Sequence, residues 1–250
     1  MSERLQKWLA GQGLGSRRQM ETWIVDGRII VDGKPAILGQ KVSGRERIKV
    51  DGRLLRVSPD RAQRPKTIMY HKPAGVICSR ADPQGRPTAF DELPHLSRGR
   101  WIGVGRLDFQ TSGLLLFTTD GELANRLMHP SSGLVREYSV RVFGEILPDA
   151  LKKLRRGIDL EDGPARFDTI EFAGGEGQNR WYKVSVSEGR NRIVRRLFEA
   201  GGHRISRLIR IRFGPLSLPR PLPAGKSRPL SPGELSALVS ALEPQTSAKR

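Results

Sequence analysis

Asp108 is the side chain whose setting most suggests chemistry. It sits in Gly105-Arg106-Leu107-Asp108, followed by residues 109–113 and the apolar run Leu114-Leu115-Leu116-Phe117-Thr118-Thr119. That run is short and β-compatible, and it ends at the turn signal Asp120-Gly121. Asp108 is therefore expected in a loop held beside a buried strand. A carboxylate next to a guanidinium stays ionised at neutral pH and can act as a nucleophile or a base. An aspartate between glycines also forms ordinary turns, so residue type and spacing leave both readings open.

A second concentration of reactive types lies at residues 180–212. Ten cations fall there: Arg180, Lys183, Arg190, Arg192, Arg195, Arg196, Arg204, Arg207, Arg210 and Arg212. Only Glu188 and Glu199 oppose them locally, so a phosphate-binding stripe is expected unless acids elsewhere in the chain pair with it. The whole chain of 250 residues carries a formal charge of +18, from 44 Lys and Arg against 26 Asp and Glu. Such a field attracts polyanions, nucleic acid first. Most of the cations are Arg, whose planar fork suits phosphates and stacked bases better than Lys does.

Other chemistries find little support. Cys78 is the single cysteine, which excludes an intrachain disulfide and suits a reducing cytoplasm. Paired Cys and His at metal-binding spacing are missing, so no metal is expected. The N-terminus lacks an apolar signal-peptide core, and no stretch approaches about 20 apolar residues, so no membrane association is expected.

The elements that must position these residues can be read in order. Leu5, Trp8 and Leu9 share a helical face. Ser16 is a candidate N-cap for a second helix carrying Met20, Trp23 and Ile24. Asp32-Gly33 joins two halves of a hairpin, and a further strand covers residues 47–50. Residues 2–59 thus read as one small domain, and the proline-bounded polar stretch 60–66 as a linker. A second domain is expected over 67–243, with a basic tail at 244–250 and loops across 80–100. Within it, residues 136–142 and 181–186 alternate as strands, and residues 151–156 look like a short basic helix. Residues 190–199 place Ile193, Val194, Leu197 and Phe198 on one helical face. Ile209, Ile211 and Phe213 alternate with Arg210 and Arg212, which predicts a strand with one basic face. Helices and strands mix without strict alternation, so the expected class is α+β with a mostly antiparallel sheet.

The first domain resembles the S-four RNA-binding module. The resemblance rests on Arg4-Leu5-Gln6-Lys7-Trp8-Leu9, Ser16-Arg17-Arg18 and Val31-Asp32-Gly33-Lys34. It implies that Arg17, Arg18, Arg28 and Lys34 face RNA phosphates. The pattern Gly105-Arg106-Leu107-Asp108-x-x-Thr111-x-Gly113-Leu114-Leu115-Leu116-Phe117-Thr118 is similar to the signature of the pseudouridine synthases of the RsuA class. The similarity continues in Lys72-Pro73-x-Gly75, in Arg136-Glu137-Tyr138, and in Glu188-Gly189-Arg190-Asn191-Arg192-x-Val194-Arg195-Arg196-Leu197-Phe198. The last two stretches look most like class members that act on large-subunit ribosomal RNA.

The resemblance implies a cofactor-free isomerisation of a uridine. The glycosidic carbon–nitrogen bond breaks, the uracil turns, and a carbon–carbon bond forms. Asp108 would be the essential carboxylate and Tyr138 the ring that packs on the base. Arg195 would be the cation paired with Asp108, or Arg196 if the register is one residue off. Arg106 would fill the gap left by the extruded base, and Lys72 would support the Asp108 loop. Arg190, Arg192 and Arg196 are expected to grip RNA. The implied partner is 23S ribosomal RNA or a large-subunit precursor, met by a cytoplasmic monomer with no obligate protein partner. A sibling synthase acting on 16S RNA or another 23S site, and a catalytically silent assembly protein, are the competing readings.

Overall fold

Two units account for the described residues, which in this computed structural model are 2–55, 65–97 and 99–243. Most of the expected linker, residues 60–64, and the tail 244–250 lie outside them. One unit comprises Met1–Pro65 together with Pro94–Trp101, the other Lys66–Leu93 with Ile102–Arg250.

In the first unit, helix Leu5–Gly11 buries Leu5, Trp8 and Leu9, and helix Arg17–Val25 buries Met20 and Ile24. The Ser16 hydroxyl accepts from the Gln19 amide at 3.0 Å and caps the second helix. Strands Ile29–Val31 and Lys34–Pro35 pair through Asp32 and Gly33, at φ 49° and 83°, the two positive angles that a tight hairpin turn requires. Strand Ile48–Val50 adds to Ile29–Val31, and one apolar cluster joins both helices to this sheet. Pro94–Trp101 groups with this unit, whereas the sequence placed residues 80–100 as loops of the second domain. The Trp101 Nε1 donates to the Pro94 carbonyl at 2.8 Å and ties the ends of that segment together.

The second unit is built on a nine-stranded sheet. Its main path runs Thr169–Gly174, Asn179–Val186, Arg136–Phe143, Ile205–Phe213, Ser112–Thr118, Thr67–Lys72, Ser227–Pro229. Only the pairing of Ile205–Phe213 with Ser112–Thr118 is parallel, so the expected α+β class with a mostly antiparallel sheet is the observed one. The strand Ser112–Thr118 is buried from Gly113 onward, as a central strand covered on both faces must be. Asp120 ends it by accepting from the Glu122 and Leu123 amides and starting helix Gly121–Met128.

Two local features of this sheet set up the site. The first is a register shift between Glu137 and Tyr138. Glu137 lies opposite Arg212 and Tyr138 opposite Arg210, which leaves Ile211 as an extra residue. A bulge of this kind resets the side-chain alternation. The expected single basic face is therefore broken: Arg210 is only 3% exposed on the side of Tyr138, while Arg212 reaches Glu137.

The second feature is Gly113, paired with Arg210 across the parallel junction. A Cβ on Gly113 would lie 2.3 Å from the Arg210 carbonyl oxygen and 2.6 Å from its amide nitrogen, and the residue has φ +110°. Both the close approach and the angle demand glycine. Gly113→Ala is expected to push these two strands apart and lower stability by about 3 kcal/mol. A denaturant midpoint equal to that of the parent protein would contradict this.

Candidate active site

The loop that carries Asp108 is held by its backbone. Lys72, at the end of strand Thr67–Lys72, is fully buried, and its ammonium donates to the carbonyls of Pro73 at 2.9 Å, Asp108 at 3.2 Å and Thr111 at 2.8 Å. Phe109 O lies at the edge of reach, 3.5 Å away. Burial pushes the Lys72 pKa down to about 8, while the charges of Cys78 and Asp108 oppose the fall. The Cys78 thiol pairs with both the amide and the carbonyl of Leu107. The Thr111 amide donates back to the Asp108 carbonyl at 3.0 Å and closes the turn. The Asp108 carboxylate is thus left free of backbone duty.

Helix Ile193–Ala200 buries Ile193, Val194, Leu197 and Phe198, and this face sets where its arginines point. Arg195 lies 3.8 Å from Asp108, Nε to Oδ2, an ion pair outside hydrogen-bonding reach. Its Nη2 donates to the Gln110 carbonyl at 3.1 Å. Its Nε is buried and has no hydrogen-bond partner among the described residues. Arg196 turns instead to Asp162, so the register ambiguity resolves in favour of Arg195 as the neighbour of Asp108.

Asp108, Tyr138 and Arg195 line one cavity of about 200 Å³, together with Arg106, Arg136 and Arg210. Tyr138 is buried on strand Arg136–Phe143. Arg210 is anchored by donation from its Nε to the Leu114 carbonyl at 2.7 Å. Arg136 and Arg210 were not singled out as site residues. Arg136 lay within a matched motif, but the inward turn of Arg210 depends on the bulge, which strict alternation conceals. The arrangement offers a carboxylate, a guanidinium with an unused N–H, and an aromatic wall in a pocket sized for one small ring. Apo distances of this kind commonly shorten when substrate binds.

Among the described residues, most of the stripe's cations lie within 4 Å of a carboxylate, whereas Arg204, Arg207 and Arg210 have no acidic partner. Arg190 pairs with Glu188 and Asp162 and also donates to the Asp162, Gly163 and Pro164 carbonyls. Asp162, claimed by Arg196 and Arg190, is held at a pKa of about 2. Glu137 takes Lys183 and Arg212, and Glu145 lies 3.9 Å from Arg180. Arg192 faces Glu199 at 3.6 Å in an exposed pair and has φ +49°, a strained left-handed conformation beside the cavity. Arg190 and Arg196, expected to grip RNA, are thus both ion-paired here, Arg190 with the nearby Glu188 as well as with Asp162 and Arg196 with Asp162. Arg28 is paired too. It is bidentate to Asp51 at 2.8 and 2.7 Å and stacks 4.2 Å from the Trp23 ring. Arg17, Arg18, Lys34 and Arg106 are exposed, with no acidic partner among the described residues.

Comparison with known proteins gives these features a context. A family model described as RNA pseudouridylate synthase matches residues 66–200, and one described as S4 domain matches residues 3–48. A protein of Salmonella typhimurium strain LT2 named ribosomal large subunit pseudouridine synthase B is 54% identical, with 100% of this chain and 87% of that protein aligned. The Escherichia coli K12 protein of the same name shows the same identity and coverage. That of Yersinia pestis is 56% identical across 90% of this chain and 71% of its own length. A crystal structure described as pseudouridylate synthase superposes with a TM-score of 0.65 at 26% identity, covering 94% of this chain and 99% of that one.

Proposed function

The chain belongs to the RNA pseudouridylate synthase family, and from that premise we propose that it isomerises a single uridine of 23S ribosomal RNA, at position 2605. The large-subunit target is supported by relatives bearing that substrate in their names at 54% identity over the full chain. The observation that carries the catalytic assignment is the meeting of Asp108 with Arg195 at 3.8 Å in a cavity that also holds Tyr138.

The bonds to be exchanged are buried in stacked RNA, so the uridine must leave the stack and enter this pocket. The Asp108 carboxylate then acts on the extruded nucleoside. Arg195 keeps that carboxylate aimed, and its free Nε meets an oxygen of the nucleotide. Tyr138 packs on the base and can move a proton. Arg106, exposed at the rim, occupies the vacated stack. Arg17, Arg18 and Lys34 hold phosphates away from the reaction. The protein works as a cytoplasmic monomer, on free RNA or a large-subunit precursor, without an obligate protein partner.

Expression in a strain lacking its own synthase for this position, with pseudouridine mapped across both ribosomal RNAs, tests the proposal. The expected result is restoration of one 23S uridine. Signal in 16S RNA would assign the chain to a sibling specificity, and no signal in any ribosomal RNA would leave a silent assembly protein.

A further inference from the structure

Pairing of most stripe cations raises the question of what else grips the RNA around the catalytic pocket. Besides Arg204 and Arg207 of the stripe, two exposed cations of the second unit stand together at another cavity. This cavity, of about 590 Å³, is lined by Pro130, Arg156, Arg166, Asp168, Ser187 and Glu188. Glu188 also lines the catalytic cavity, and Met128, two residues before Pro130, does too. The two spaces therefore adjoin along the Ser187–Glu188 segment.

The groove keeps an excess of positive charge. Glu188 is taken by Arg190, which leaves Asp168, hydrogen-bonded by the Ser187 hydroxyl at 2.7 Å, as one carboxylate against two arginines. Arg156 and Arg166 are exposed and have no acidic partner among the described residues. Arg156 ends helix Pro148–Arg156, where a cation also complements the helix dipole. Arg166 follows strand Gly163–Ala165 and lies beside the same helix end, where the Phe167 amide donates to the Leu154 carbonyl at 3.1 Å, so two cations gather there. Two free guanidinium forks beside a groove that opens from an RNA-processing pocket fit phosphodiester oxygens in charge and geometry.

We propose that this groove is a second RNA-backbone site, in which Arg156 and Arg166 take phosphates of the strand running out of the catalytic pocket. The inference rests on the reading of RNA as the substrate. It makes the short basic helix, rather than the arginine-dense helix Ile193–Ala200, the source of grip on that side.

The test compares the protein with Arg156→Gln/Arg166→Gln and with Arg156→Lys/Arg166→Lys, on a transcript of the 23S ribosomal RNA segment around the proposed target. Binding is followed across a salt series, and turnover is measured in parallel. For the Gln pair, the slope of log affinity against log salt is expected to become shallower by about 1.4 to 1.8, the release expected from two phosphate contacts. The KM should rise about tenfold at physiological salt, with kcat at saturating RNA and the melting temperature unchanged. The Lys pair should keep most of the parental slope. An unchanged slope in the Gln pair overturns the proposal, as does a fall in kcat with the slope intact, which would mark a structural role. The slope is read from binding alone, so it stands apart from the proposed target. If no ribosomal uridine is modified, the functional reading fails while the slope still decides the groove.

Discussion

Asp108→Ala is expected to abolish pseudouridine formation, with a rate loss of about 10⁴-fold or more, while RNA affinity and melting temperature stay close to the parent. The separation follows from how the loop is built. Its position is set by backbone groups, namely the Asp108, Thr111 and Pro73 carbonyls on Lys72 and the Thr111 amide on Asp108. Among the described residues the carboxylate has Arg195 as its ion-pair partner, at 3.8 Å. Removing it deletes the reactive group and leaves the scaffold standing. It also removes one negative charge from a basic cleft, so RNA affinity should not fall. Release of the uracil C5 hydrogen, which leaves when the new carbon–carbon bond forms, gives a direct assay. Asp108→Asn keeps the shape and should be equally inactive. Residual turnover in Asp108→Ala above that of an empty-vector preparation would refute Asp108 as the reacting group.

The contrast between Asp108 and its neighbours shows what could be read from sequence and what could not. Asp108 and Tyr138 are marked in the sequence by the likeness of their motifs to a family signature, and the helix from Ile193 by its periodicity, a local property. The choice between Arg195 and Arg196 was not local. It depends on how the helix seats its apolar face, which turns one arginine to Asp108 and the next to Asp162. Arg210 was concealed for a different reason. Alternation assumes an unbroken ladder, and the extra residue Ile211 puts Arg210 on the side that alternation assigned to Ile211. The pairing of the stripe could not be counted along the segment, because Glu137 and Asp162 join Glu188 and Glu199 from strands and turns outside it. Charge counting along a chain therefore overestimates free charge wherever strands from distant segments lie side by side.

Lys72→Met should separate catalysis from stability in a way that Asp108 variants do not. The Lys72 ammonium is fully buried, and burial lowers its pKa from 10.5 to about 8. A lysine with a depressed folded pKa binds fewer protons in the folded state than in the unfolded state between those two values. Stability contributed through this group therefore rises with pH from about 8 to 10.5, and below pH 8 the charge is a constant cost of about 3 kcal/mol. Methionine removes that cost. It also leaves the Pro73 and Thr111 carbonyls without that donor, a penalty of about 1–3 kcal/mol for each group, and the Asp108 carbonyl with the Thr111 amide alone. The two effects nearly offset, so global stability should move little. The catalytic loop does not share in that balance, because its carbonyls lose the point that fixed them. A shift of about 1 Å in Asp108 is enough to lower kcat about 10²-fold. The parent enzyme should lose rate as pH rises through about 8, where the ammonium gives up its proton, although its melting temperature does not fall through this group over that range. Lys72→Met should lack this descending limb and run at a low, flat rate. Parental kcat in Lys72→Met, or a limb near pH 8 that survives the substitution, would show that the lysine does not hold the catalytic loop.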